Sequence, residues 1–216
     1  MKPPAKDGIL LPRLPALLAP ADLSALADRA ELSQSRLSGV DFSAAQAVDV
    51  LFDGVHLKRV MLLQSRLERL RLFDCRLEGC EGSGAVWDRA RLRRVELVDC
   101  RLLGIGLPEA SFEDVRFTGC GLEGAVINLG TFKAARFEGC NLRQASFEGA
   151  NLAGVVFDKC DLSGANLRGA VLTGVDFSTA KIDGMQIGSA EMRGAIISAA
   201  QAVQVVGLLG VKVKTD

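Results

Sequence analysis

The chain has no tyrosine, one tryptophan and one histidine in 216 residues, and aromatic residues make up only 5% of it. A surface that stacks successive bases needs closely spaced rings, so binding of single-stranded nucleic acid is poorly supported. An excess of charge of one sign is also missing. Lys and Arg total 26 and Asp and Glu total 26, so no global field draws the chain to DNA, to an anionic membrane or to a basic partner. Long apolar runs are absent as well. Prolines at positions 3, 4, 12, 15 and 20 break the N-terminal apolar pieces before they reach the length of a secretion signal or a membrane span. The expectation is a cytoplasmic chain with no membrane segment, whose six cysteines are reduced thiols.

What the sequence does have is a period. With 49% hydrophobic residues the chain is globular in composition. In RFEGCNLRQASFEGANL, residues 136–152, a large apolar residue recurs every fifth position, at Phe137, Leu142, Phe147 and Leu152. An α-helix would scatter these side chains around its cylinder, and a flat strand would alternate them between two faces. The frame runs without insertion or loss from Leu32 to Ile197. Of its 34 sites, 32 hold Leu, Phe, Ile, Met or Trp, the exceptions being Ala47 and Gly82. Two positions before each large residue, from Ala30 to Ala200, stands a small one, with larger side chains only at Leu70, Ile105 and Met185. Charges fill the other three positions. A second period, of 20 residues, shows in Cys80, Cys100, Cys120, Cys140 and Cys160.

This pattern resembles the pentapeptide-repeat family, whose motif reads A(N/D)LXX. The best copies are Ala-Asn-Leu at 150–152 and 165–167 and Val-Asp-Phe at 40–42 and 175–177. The resemblance implies an all-β chain: a right-handed quadrilateral parallel β-helix in which each repeat makes one side of a square coil and four repeats make one turn. About eight coils and a short C-terminal α-helix are expected. The physical reading agrees, because a chain that turns 90° per repeat keeps every fifth residue on the axis. Residues 20 apart then stand one above another at about 4.8 Å.

The expected organisation is a Pro-rich capping extension over 1–24, the β-helix over 25–199, and a capping or dimerisation helix and tail over 200–216. In the extension, Ile9, Leu10, Leu11, Leu14, Leu17 and Leu18 are expected to fold over the first coil. At the other end Ala202, Val205, Val206 and Leu209 share a helical face, with Leu208 beside them, and form a candidate homodimer contact. Gly210 is placed to stop the helix, and Val211 to Lys214 alternate like a short strand. This terminal segment, Met192 to Ile196 followed by the Gln-Ala-Val and Leu-Gly-Val runs, is similar to the ending of the pentapeptide proteins that modulate DNA gyrase. That resemblance implies a type II topoisomerase as partner, approached by mimicry of DNA.

Sites for chemistry are scarce. The cysteine column is a line of parallel side chains without histidine, which suits neither tetrahedral metal binding nor disulfide geometry, and Cys75 lies on another face. His56 falls at an outward position with no nucleophile placed beside it. No phosphate loop, dinucleotide fingerprint or zinc motif is present, so no enzyme, cofactor or metal is expected. Gly82, in the segment Glu81–Ala85, predicts a bulged or flattened side, with Trp87 filling part of the space. The 20-residue period also maps the surface. Arg69 stacks with Arg89 and Arg71 with Arg91 around one corner, and Arg93 and Arg94 continue this basic patch, which is either a candidate site for an anionic partner or, the favoured reading, a solvated face with Glu68, Asp74, Glu78 and Asp88 interleaved. Residues 58–94 carry ten basic and five acidic side chains, against five and eight over 109–161. The rod is therefore polarised along its axis, and a non-catalytic interaction scaffold is the favoured function. A DNA mimic would need a dense negative surface instead.

Overall fold

The computed structural model describes residues 8–21, 23–208 and 211. Its strands, all parallel, wind a right-handed quadrilateral β-helix that rises through about seven turns. We number the four faces by their first large residues: Leu32 opens face one, Leu37 face two, Phe42 face three and Ala47 face four. On face one Glu31, Leu51, Arg71, Arg91, Ser111, Thr131, Asn151 and Val171 stand in a single column, each paired with the residue 20 positions on. The other faces repeat this register. Strands Arg91–Val98, Ser111–Thr118 and Thr131–Glu138 run unbroken through the corner between faces one and two.

The repeat Leu142 to Ser146 shows why five residues make one side. The N–H of Ala145 donates to the carbonyl of Leu142 at 3.1 Å, and Gln144 between them has φ +56°, the geometry of a type II turn. Asn141 donates down to Cys120, while Leu142 and Gln144 donate up to Asp161 and Ser163, at 2.8–3.0 Å. Backbone groups that the turn leaves over are thus satisfied by the neighbouring coils.

The large residues fill the axis. Phe117, Phe137, Phe157 and Phe177 stack on face two with centroids 4.6, 5.1 and 5.4 Å apart, and Phe112 stacks on Phe132 at 4.3 Å on face one. The small residues beneath the turns are buried too, among them all six cysteines, which are free thiols. The column thiols point at backbone carbonyls, as Cys140 does at Phe117 (3.5 Å), and burial pushes the Cys75 thiol up to about 12.

Gly82 makes no bulge. Its N–H reaches the carbonyl of Arg101 at 2.8 Å, in register, and Leu102 Cδ2 lies 3.0 Å from where a Cβ would stand. The neighbouring coil's leucine takes up the missing volume. Trp87 is an ordinary core residue of face four, with its indole N–H toward Ser65 Oγ (3.3 Å).

The ends differ from expectation in one respect. Leu23 and Leu26 pack against the first coil, and Ala19–Pro20 pairs with Ser35 and Arg36. Residues 8–18, by contrast, do not lie over that coil. They run along the flank at the corner between faces one and two, where Asp114 accepts the Leu10 N–H (3.2 Å) and Asp74 the Arg13 N–H (2.9 Å). Ile9 is buried there, while Leu10 and Leu17 are exposed. Corner carboxylates supply acceptors for this extended backbone, as the Arg36 carbonyl at the open end does for the Ala21 N–H at 2.9 Å.

At the C-terminus, helix Ala199–Leu208 covers the last coil. Ser198 and Gln201 form a reciprocal capping box: Gln201 Oε1 accepts the Ser198 N–H at 2.7 Å and Ser198 Oγ accepts the Gln201 N–H at 3.3 Å. Gln201 Nε2 also donates to the carbonyls of Phe177 and Ala180, both at 2.7 Å.

Candidate functional site

The basic columns meet at the corner between faces four and one. Arg69 and Arg89 occupy the turn position there, and Arg71 and Arg91 the first outward position of face one. Together with Arg29, Glu31, Asp49, Glu109 and Ser111 they line an open groove of about 950 Å³. The elements that place them are the inter-coil ladders, so neighbouring rungs hold their side chains about 4.8 Å apart.

Carboxylates engage part of this patch. Arg69 holds Asp49 in a two-pronged bond of 2.8 and 2.9 Å, which lowers the Asp49 pKa and raises that of the guanidinium. Arg89 donates to Glu68 at 2.6 Å and to Asp88 at 2.9 Å. These pairs are half-exposed and contribute little to stability. Arg91, in contrast, has no ion pair among the described residues. Arg71 Nη2 reaches the Asp49 carbonyl at 3.3 Å, and its buried Nε has no acceptor.

Arg93 and Arg94 belong to the next corner and do not join the groove. Arg93 lies over the Phe73 ring at 4.7 Å, and Arg94 donates to Asp74 beneath it. The residues at the first corner were legible from the 20-residue period. Of the acids that answer them, Glu68 and Asp88 are among the interleaved acids of the sequence reading, whereas Asp49 is not, although the same arithmetic places it directly under Arg69.

The other sites hold less. His56 Nε2 lies 3.3 Å from Glu78 in a ladder that also links Lys58, Arg76 and Glu96, and burial lowers its pKa against the opposing pull of Glu78. Among the described residues no group of three or more His, Cys, Asp or Glu is placed to hold a metal ion, and no helix is long and apolar enough to cross a membrane. Of the candidate dimer residues, Val205 is buried against the last coil, and Ala202 and Val206 are half-covered. Leu209, Gly210 and Lys212 to Lys214 lie outside the described residues, as does the Leu208 side chain. Val203, which the sequence reading did not single out, is an exposed apolar residue of the helix.

A family model described as a pentapeptide repeat region matches residues 70–147 and 110–187. The chain belongs to the pentapeptide-repeat family. Comparison with the curated proteins found no significant match. Among solved structures, this pentapeptide-repeat protein is similar to HetL of the cyanobacterium Nostoc sp. strain PCC 7120, a pentapeptide repeat protein involved in heterocyst differentiation regulation. The two are 21% identical, with a TM-score of 0.52 over 81% of this chain and 90% of HetL. QnrB1, a plasmid-mediated fluoroquinolone resistance protein, is 20% identical over 91% of this chain and 99% of its own, with a TM-score of 0.43. Rfr23 of the cyanobacterium Cyanothece 51142 is 24% identical over 54% of this chain and 66% of its own, with a TM-score of 0.30. At 21% identity the likeness to HetL is one of fold.

Proposed function

We propose that this pentapeptide-repeat rod is a non-catalytic interaction scaffold that presents columns of outward side chains to a protein partner. The groove at the corner between faces four and one carries this reading, since guanidinium groups gather there and, among the described residues, one has no ion pair and another is half-satisfied. Inward positions are given over to packing, so chemistry is left to the exterior. The free, buried thiols suit a reducing compartment, and the cytoplasm is the proposed location. Photo-crosslinking residues placed in turn at each corner of the rod, in the cells that make the protein, test the scaffold reading. Adducts to a partner from one corner are expected, and no adduct from any corner would overturn it.

A second reading is modulation of a type II topoisomerase by DNA mimicry. The C-terminal segment supports it, through its resemblance to gyrase-modulating pentapeptide proteins and the helix that caps the last coil. Balanced charge and the basic groove weigh against it. Titrating the protein into a gyrase supercoiling assay, with and without a fluoroquinolone, decides: no effect well above the enzyme's concentration excludes this reading. Pairing of two copies through the helix would use Val203, Ala202 and Val206, and sedimentation of the wild type against Val203→Glu would reveal it.

A further inference from the structure

The corner between faces four and one keeps side chains where glycine would be less strained. Arg29, Asp49, Arg69, Arg89, Glu109 and Leu129 all have positive φ, between 52° and 62°. Left-handed backbone disfavours residues with a Cβ. Further along the same corner the position is Gly149 and Gly169, and the diagonally opposite corner mixes Gly39, Gly79, Gly119 and Gly139 with Arg59, Asp99 and Lys159. Non-glycine residues keep this conformation at every corner, as at Asp74, Arg59 and Gln144, so the turn of the repeat imposes it; at this corner it carries Arg69 and Arg89 into the groove.

The groove also has a defined length. Arg71 and Arg91 face outward on consecutive rungs, with Glu31 two rungs below Arg71 and Glu109 at the turn one rung above Arg89. Acidic groups at both ends would repel a continuous phosphate track, whereas one or two carboxylates fit between them. The rod itself shows how a chain lies along such a corner. In the N-terminal segment, three residues from Leu10 to Arg13 span the two rungs from Asp114 to Asp74. That distance is about 10 Å, which is the reach of extended backbone.

We propose that this corner docks a short acidic segment of a partner protein, extended along the rod axis with its carboxylates on Arg71 and Arg91. The inference rests on the scaffold reading and names the partner's chemistry. Its geometry mirrors that of the opposite flank of face one, where corner carboxylates take backbone N–H groups. Here guanidinium forks would take carboxylates, the pairing for which their planar donors are suited.

Fluorescence anisotropy of a short labelled peptide alternating serine and glutamate, titrated with the full chain, tests this. Saturable, salt-sensitive binding is expected. Arg71→Ser with Arg91→Ser, which copies the residue already present at Ser111 of that column, should weaken binding roughly tenfold or more. Arg59→Gly at the diagonal corner should leave it unchanged, and circular dichroism checks that each variant is folded. Arg69→Gly and Arg89→Gly, which relieve positive φ, provide a second pair whose fold is not at risk. Equal binding by all variants would overturn the proposal, and so would tighter binding of double-stranded DNA in competition. Peptide failure with crosslinks still arising at this corner would sink the acidic-segment inference alone; no crosslinks at any corner would sink the scaffold reading as well.

Discussion

Gln201 Nε2 donates to the main-chain carbonyl of Phe177 at 2.7 Å, across the seam between the C-terminal helix and the last coil. The same amide reaches Ala180, and its oxygen caps the helix at Ser198. One side chain therefore closes two kinds of open end. Gln201→Leu should orphan the Ala180 carbonyl and the Ser198 N–H, leave the Phe177 carbonyl with only the Ala180 N–H (2.8 Å), and cost roughly 2–4 kcal/mol in chemical denaturation. A loss under about 0.5 kcal/mol, the range of an ordinary surface change, would show that the seam is held by packing alone.

Turn positions should respond to glycine in a predictable direction. Gly154 has φ +74° and open space where a Cβ would stand, so Gly154→Ala isolates the backbone effect. A destabilisation of about 1 kcal/mol is expected in thermal unfolding. Arg89→Gly should be neutral or slightly stabilising, because its ion pairs are half-exposed and its φ is +52°.

The period made the core, the coil and the basic columns legible, because every residue from Leu32 to Ile197 has an address set by its number. Segments outside the frame have no such address. Nothing in Ile9 to Leu18 shows that Asp114 and Asp74 will take its N–H groups, since that contact joins aperiodic chain to one corner among four. The Ser198–Gln201 box is present in the sequence, but its second role depends on carbonyls left open by the final coil. Gly82 misleads for a related reason: a gap in the frame reads as a fault until the leucine of the next rung, Leu102, is seen to occupy it.

The N-terminal segment should add stability from the side rather than from the end. Ile9 is buried beside the corner that holds Leu10 and Arg13. Ile9→Ala is expected to cost about 2 kcal/mol and to raise amide exchange at Leu10 and Arg13, with exchange in the core coils unchanged. Uniform loss of protection through all coils would place this segment in the cooperative core instead.

Acid should weaken the fold in two stages. Burial would raise the Asp74 carboxyl, but the bonds and charge of Arg94 and the Arg13 N–H outweigh it and hold it below its ordinary 3.8. Its contribution is thus present above that value and lost as pH falls through the lower folded one. Burial likewise holds His56 below its ordinary 6.5, so stability tied to its neutral form is present above 6.5 and declines below it. Denaturation midpoints followed across this range should show both declines, with Asp74→Asn removing the more acidic one and His56→Gln the other.

Amide chemical-shift mapping during titration with the serine–glutamate peptide tests the central claim, that the rod works through the corner between faces four and one. Shifts confined to the amides of Arg69, Arg71, Arg89 and Arg91 and their neighbours are expected, with Gly39, Gly79 and Gly119 at the diagonal corner unmoved. Shifts centred on the helix Ala199–Leu208 or on the diagonal corner, or none at all, would contradict it.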